Sequence, residues 1–425
     1  MSCALPSYEQ AAAIVAAHAA KWNPTPRSIE RVELRHAAGR VLAQPLSADR
    51  DQPPFPRSTR DGYACRSAEA SRHTFLTVES STHAGDAPAG PLSLGAAWEI
   101  MTGAPVPTGA DAVMMIEHVE VVDRRVRLLP PRTVSAGENI VARGAQAKKG
   151  DELLPVGTIL APAQIALAAS CGYASIDVCA RPRVAILTTG DELVSVEAEP
   201  GPGQIRNSNA PMLAALIAAA GGDPWVLPTA ADNAKSLDAA LGKAAKADLL
   251  LISGGVSAGK FDLVEPALGR IGARFHFTGV RIQPGKPLVF GELPRNGASR
   301  SSTPGASPVL PFFGLPGNPI STAVTFLLFA APVLAALAGR CESGPRFALA
   351  YLAKDTDKHG KQGLTRFLPA RCDFNPPHGQ PPQVVVVPWH GSGDLTAFAR
   401  SNCFLVVPEE ASRLEEGAIV RILLS

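Results

Sequence analysis

The sequence lacks most of the features that give a function away at once. Its 425 residues carry a formal net charge of +2, with no polybasic run and no interleaving of basic with aromatic residues, so nothing argues for a nucleic-acid partner. Seven cysteines, at positions 3, 65, 171, 179, 341, 372 and 403, form no C-x-x-C pair, and their number is odd. That excludes a zinc-ribbon spacing and a paired disulfide framework, and it predicts reduced thiols in a cytoplasmic protein. No basic segment followed by an apolar core opens the chain, so no signal peptide is expected. Long uncharged runs are scarce too. Residues 320–339 are about as long as a membrane span. The Pro332, Ser321, Thr322 and Thr325 within this run, and the absence of a companion, predict a buried helix of a large α/β domain and no membrane contact.

What is present changes style along the chain. An apolar fraction of 46% in a chain this long implies several cores. Ser7-Tyr-Glu-Gln10 has the capping-box pattern and starts an alanine-rich helix. Residues 1–50 with 147–180 are expected to form an N-terminal helical linker domain. Asp51-Gln-Pro-Pro-Phe-Pro56 is a proline-rich crossing into an inserted β-rich domain, 51–146, where short alternating runs are punctuated by glycine and proline. Residues 181–340 alternate strand and helix and predict a doubly wound, mostly parallel α/β domain. Residues 345–425 alternate again and predict a C-terminal β-barrel. The low-complexity stretch 294–307 reads as a surface loop without function.

Four loops at predicted strand ends carry the chemistry. Ser253-Gly254-Gly255-Val256-Ser257-Ala258-Gly259-Lys260-Phe261-Asp262 follows the apolar run 248–252. Its glycines let backbone N–H groups approach an anion, its serines add hydroxyls, and Asp262 is placed to hold a metal against phosphate. Thr188-Thr189-Gly190-Asp191-Glu192 offers hydroxyls, a glycine turn and two acids, a pairing that near phosphate calls for a cation between them. Gln283-Pro-Gly-Lys286-Pro287 presents a lysine as a point charge. Gly314-Leu-Pro316-Gly-Asn318-Pro319 is a rigid turn opening the long apolar helix. Each loop alone admits plain turn chemistry. Together, at the ends of strands in one sheet, they predict a phosphate-bearing ligand lying across its top.

These segments, with Asp61-Gly62-Tyr63-Ala64 and Ile100-Met-Thr102-Gly-Ala-Pro105-Val-Pro107-x-Gly109-Ala-Asp111, resemble the molybdenum insertase family of bacterial molybdopterin molybdenumtransferases and the E domain of gephyrin. The motifs follow the family's order over nearly the whole chain. The resemblance implies insertion of molybdate into adenylylated molybdopterin with release of AMP, supported by Mg2+. It implies a homodimer whose site is shared between subunits, and contacts with the pathway's adenylyltransferase and with molybdoenzymes. By matching positions it implies catalytic roles for Asp61, Glu192, Asp232 and Asp262, with Glu192 and Asp262 as metal ligands. It implies pterin or nucleotide contacts for Thr102, Thr189, Gly190, Asp191, Gly254, Gly255, Ser257, Lys286, Pro316, Pro319 and Ser392. By itself Asp232, in Ala231-Asp232-Asn233 before a helix, would read as an N-cap. The chain departs from the family at Val141, Ala145 and Gln146, where an arginine and two acids are usual, and at Gln283, where lysine is common; Arg143 and Arg281 stand nearby. The thinned basic set motivates an alternative, a diverged paralogue that binds the nucleotide-pterin but inserts metal weakly or takes another oxyanion such as tungstate.

Overall fold

The computed structural model describes residues 4–22, 28–87, 90–255, 263–295, 309–356, 363–377 and 379–425. The chain divides into two compact units, one of Met1–Ala43, Gly157–Leu160 and Ile176–Ser425, the other of Gln44–Val156 and Ala161–Ser175.

The first unit is built on a six-stranded sheet of β1 (Arg183–Thr188), β2 (Asp223–Val226), β3 (Leu249–Ser253), β4 (Arg274–Phe277), β5 (Val289–Pro294) and β6 (Val309–Leu315). Their order in space is β2-β1-β3-β6-β5-β4. The first four are parallel, and β5 runs antiparallel to both of its neighbours. In β3 the apolar run is divided strictly by period two. Leu249 and Leu251 enter one core with the helices Asn209–Ala219 and Pro319–Leu337, while Leu250 and Ile252 enter another with the helices Ala234–Ala244 and Val264–Arg270. A strand covered on both faces has no polar side to keep, which is why its sequence does not alternate.

The N-terminal helix Tyr8–Trp22 belongs to the first of these cores, with Tyr8 edge-on to Phe329 and Phe367 at 5.9 and 5.8 Å. Its start is the expected capping box: the Ser7 N–H donates to Gln10 Oε1 at 2.9 Å and the Gln10 N–H to Ser7 Oγ at 3.2 Å. The helix Pro319–Leu337 is long and apolar enough to cross a membrane, yet 89% of its apolar window is buried inside the protein. It packs as a core helix. It widens into a π turn at Phe326–Ala330, just before Pro332, whose missing N–H and ring would break a regular turn there.

Strands β7 (Phe347–Leu352), β8 (Thr365–Asp373), β9 (Gln383–Val386), β10 (Cys403–Val407) and β11 (Ile419–Leu424) close in the order β8-β9-β7-β11-β10 and back to β8. This is the expected C-terminal barrel, and closure removes its edges. The short strand Ile282–Gln283 pairs in parallel with β8, joining a loop of the α/β domain to the barrel.

The second unit holds a separate six-stranded sheet, in which Gly62–Cys65 lies between Ala96–Ile100 and Ala112–Met115. Tyr63, Leu76, Met114 and Val126 lie in its core. The helix Pro162–Ser170 also belongs to this unit. Burial pushes the thiols of Cys65 and Cys403 up to about 12, which keeps both protonated.

Phe313 on β6 stacks on Phe290 of β5 at 4.8 Å, and both are fully buried. Replacing Phe313 with alanine is expected to remove about 3–5 kcal/mol from the urea transition that unfolds the α/β domain. A loss below about 1 kcal/mol would mean that this core collapses to fill the hole.

Candidate functional site

The carboxyl ends of β1, β3 and β6 finish side by side, and the polar groups there are buried. Thr188, Thr189, Asn207 and Ser253 are each less than a tenth exposed. Most of them are met by neighbouring side chains. Asn207 Nδ2 donates to Thr188 Oγ1 at 2.9 Å and its Oδ1 accepts from the Ala210 N–H at 3.1 Å, so one side chain fixes the start of the helix Asn209–Ala219 to the end of β1. Asn209 Nδ2 donates to Ser253 Oγ at 2.9 Å and to the Gly317 carbonyl at 2.6 Å, joining the loops after β3 and β6. Two buried oxygens are left over with no hydrogen-bond partner, Thr189 Oγ1 and Asn209 Oδ1. Such groups carry a desolvation cost that a ligand with matching donors or acceptors would relieve.

These loops open onto a cavity of ≈ 760 Å³. Thr189, Gly190, Glu192, Asp232, Gly254, Gly255, Lys286, Pro316 and Ser392 all line it. The tight approach explains the glycines. A Cβ on Gly254, whose φ is +94°, would stand 2.6 Å from the Thr189 carbonyl oxygen. A Cβ on Gly190 would stand 2.6–2.8 Å from the Glu192 carboxylate, which folds back over that glycine.

Three acids gather on one side. Asp191 Oδ1 accepts from the Asp232 N–H at 3.0 Å. The helix Ala234–Ala244 is capped by Asn233, whose Oδ1 accepts from the Ser236 N–H at 2.9 Å, so Asp232 is not the cap and its carboxyl faces the cavity. Burial, first, and the charges of Asp191 and Glu192 raise the Asp232 pKa, against a lowering hydrogen bond from the Asp191 backbone. On the other side is Lys286, the one lysine or arginine among the described lining residues. The barrel closes the rim: Asn318 Nδ2 donates to Ser392 Oγ at 2.9 Å, and the Ile320 N–H donates to the Ser392 carbonyl at 3.0 Å.

Asp191 and Pro319 support the cavity without lining it, Asp191 through Asp232 and Pro319 as the first residue of the helix that begins there. Ser257 and Asp262 lie outside the described residues. Asp61 and Thr102 belong to the second unit, where they form a pair of their own. The Thr102 N–H and Oγ1 donate to Asp61 Oδ1 at 2.6 and 2.8 Å, and these two bonds hold the carboxyl below its ordinary pKa. Both side chains are exposed. The two arginines near the missing basic residues each have an acidic partner. Arg143 pairs with Asp51 at 2.7 Å and Arg281 with Glu409 at 3.6 Å. Trp389 also lines the cavity and was not legible as a site residue, since it comes from a barrel loop distant in sequence.

Residues 6–172 match the MoeA N-terminal region (domain I and II), residues 185–336 a probable molybdopterin binding domain, and residues 351–425 the MoeA C-terminal region (domain IV). The chain is 35% identical to a molybdopterin molybdenumtransferase of Nostoc sp. over 93% of its own length and 88% of that protein. It is 35% identical to that of Bacillus subtilis over 93% and 89%. Among solved structures, the molybdopterin biosynthesis MoeA protein of Pyrococcus horikoshii OT3 superposes with a TM-score of 0.79 at 29% identity, covering 99% of this chain and 100% of that one.

Replacing Thr102 with valine removes the hydroxyl donor and keeps the backbone N–H. The Asp61 pKa should rise toward that of an ordinary aspartate in a carbon-detected NMR titration. Because that pKa is lowered in the folded protein, the stability it contributes is present above the unfolded value and is lost as pH falls through the folded one. An unmoved Asp61 titration would show that the hydroxyl does not hold the carboxylate.

Proposed function

The chain belongs to the molybdopterin molybdenumtransferase family of molybdenum cofactor biosynthesis, and from that premise we propose that its α/β cavity binds adenylylated molybdopterin and molybdate and releases AMP as molybdenum joins the pterin dithiolene. The observation that carries this reading is the meeting of anion-suited loops and acids in one cavity at the ends of parallel strands. Backbone N–H groups of the glycine loops and the hydroxyl of Thr189 suit phosphate oxygens. Lys286 supplies a positive charge for a phosphate or molybdate oxygen. Relatives bearing the transferase name match over nine-tenths of the chain, which does not favour the diverged-paralogue alternative.

Pyrophosphate cleavage concentrates negative charge, and Glu192 and Asp232 add more. The raised pKa of Asp232 marks a carboxyl whose charge is poorly compensated, which is the electrostatic condition for a cation site. The donor set is hard oxygen, which fits Mg2+. By the family resemblance Glu192 and Asp262 would hold it, and Asp232 lines the same cavity as Glu192. When bound, the ion neutralises phosphate charge and polarises the bond that breaks. The chain's own part is to hold both anions in line, to present Glu192 and Asp232 to the cation, and to exclude water through Pro316 and the barrel rim.

Asp61 and Thr102, exposed on the second unit, are proposed to complete the cavity of a second copy in a homodimer. The ionised, pre-oriented Asp61 supports that reading, since a carboxylate fixed by two donors needs no reorganisation to meet a ligand.

Two outcomes follow. Glu192→Gln and Asp232→Asn should each lower molybdate-dependent AMP release by about 100-fold or more while pterin binding persists. Turnover within a few-fold of the parent in both would remove these acids from the site. Mixing inactive Asp61→Ala with inactive Glu192→Ala subunits should restore about a quarter of parental activity, because half the dimers then hold one intact site. No restoration after verified subunit exchange would contradict the shared site.

A further inference from the structure

A second group of ligand-type side chains lies in the first unit, and none of its members lines the cavity described above. His18 comes from the N-terminal helix, His276 from β4 and Glu292 from β5. His18 and Glu292 are 274 positions apart in sequence, yet His18 Nδ1 stands 2.9 Å from Glu292 Oε1. On the other carboxylate oxygen, Glu292 Oε2 is 3.6 Å from His276 Nε2. The two imidazole rings face each other with centroids 3.8 Å apart, and Phe290 closes an apolar wall against both. One ligand atom from each residue lies within 4.8 Å of the others.

Two features set this cluster apart from an ordinary buried hydrogen-bond network. The first is the strand itself. The β4–β5 pairing shifts register between Phe275 and Phe277, so His276 sits at an irregularity in the ladder. Such irregularities commonly re-aim a side chain. The second is an unmet need. The His276 side chain is only 7% exposed, and its Nε2 has no hydrogen-bond partner among the described residues. A buried ring nitrogen with an idle lone pair or proton is costly. A Glu292 carboxylate only 13% exposed faces it at a distance too long for a hydrogen bond.

We propose that His18, His276 and Glu292 bind one divalent transition ion of the zinc class. Ligand atoms arranged tetrahedrally at about 2.1 Å from zinc lie about 3.4 Å from one another. His18 stands 2.9 Å from one carboxylate oxygen and His276 3.6 Å from the other, and one ligand atom from each residue lies within 4.8 Å of the others, which side-chain rotation can bring to that spacing. Two imidazoles and one carboxylate suit Zn2+, Co2+ or Ni2+ and disfavour Mg2+, which prefers oxygen alone. Three protein ligands leave a fourth position for water. The ion would fasten the N-terminal helix to the outer strands of the α/β sheet, through a helix residue that is otherwise held there by packing alone and one hydrogen bond. It is separate from the Mg2+ proposed for the cavity and does not depend on the catalytic reading.

The test uses the full chain, freed of metal with a chelator and titrated with Zn2+ alone against a chromophoric competitor, and then with Co2+. The expected result is one tight equivalent that is weakened at least about tenfold in His276→Asn and in Glu292→Gln, with the visible Co2+ absorption lost in both. Both replacements are close in shape, and circular dichroism of the metal-free variants checks that they fold. A second measurement needs no variant: zinc-soaked crystals should give an anomalous peak between the three side chains. Equal Zn2+ affinity in parent and variants, or no anomalous peak there, would overturn the site and leave a metal-free His–Glu–His contact.

Discussion

Everything in the cavity depends on one constraint, that three parallel strands end together with their last polar groups buried. Thr188 and Ser253 have nowhere to find water, so their hydroxyls are met by Asn207 and Asn209 at the start of the next helix, and Asn209 also reaches the Gly317 carbonyl. That mutual satisfaction sets the spacing of the loops. It forces glycine at 254, where any side chain would meet the Thr189 carbonyl, and it leaves the hydroxyl of Thr189 and the carbonyl of Asn209 unspent. A rigid floor of this kind holds loop amides at fixed positions, which is what anion recognition without reorganisation requires.

On that floor, charge is arranged by separation. Lys286 stands on the loop joined to the barrel through the Ile282–Gln283 pairing, while Asp191, Glu192 and Asp232 come from the opposite side, after β1 and before the helix Ala234–Ala244. Burial, and then the charges of Asp191 and Glu192, raise the Asp232 pKa, so a cation beside it would favour its charged form. The barrel contributes through Ser392, which bonds both the side chain of Asn318 and the backbone of Ile320. The C-terminal domain is thus part of the wall of the cavity and not an appendage.

The layer architecture was legible because its cause is local. The uninterrupted apolar run of β3 and the capping box at Ser7 carry their own explanation, and both appear as expected. The long uncharged helix was separable from a membrane span by its proline and hydroxyl residues, and it lies in the core. The loops of the cavity were legible as well, since glycine, threonine and lysine at strand ends have few other uses. What sequence did not reveal depends on partners far away in the chain. Asp232 reads as a cap until Asn233 is seen to fill that role, and nothing in the alanine-rich helix marks His18 until β4 and β5 bring His276 and Glu292 beside it. The arginines that stand near the lost basic positions are engaged with Asp51 and Glu409, a fact no spacing discloses.

The central claim is that this cavity couples cleavage of a pyrophosphate to the placing of an oxyanion's metal on a dithiolene. The measurement that bears on it most directly is the ratio of AMP released to molybdenum bound on the pterin, taken from one reaction of the purified protein with adenylylated molybdopterin, Mg2+ and molybdate. A ratio of one to one, with little AMP when molybdate is omitted, is the predicted result. AMP released at the same rate without molybdate, or with no molybdenum on the pterin, would contradict it.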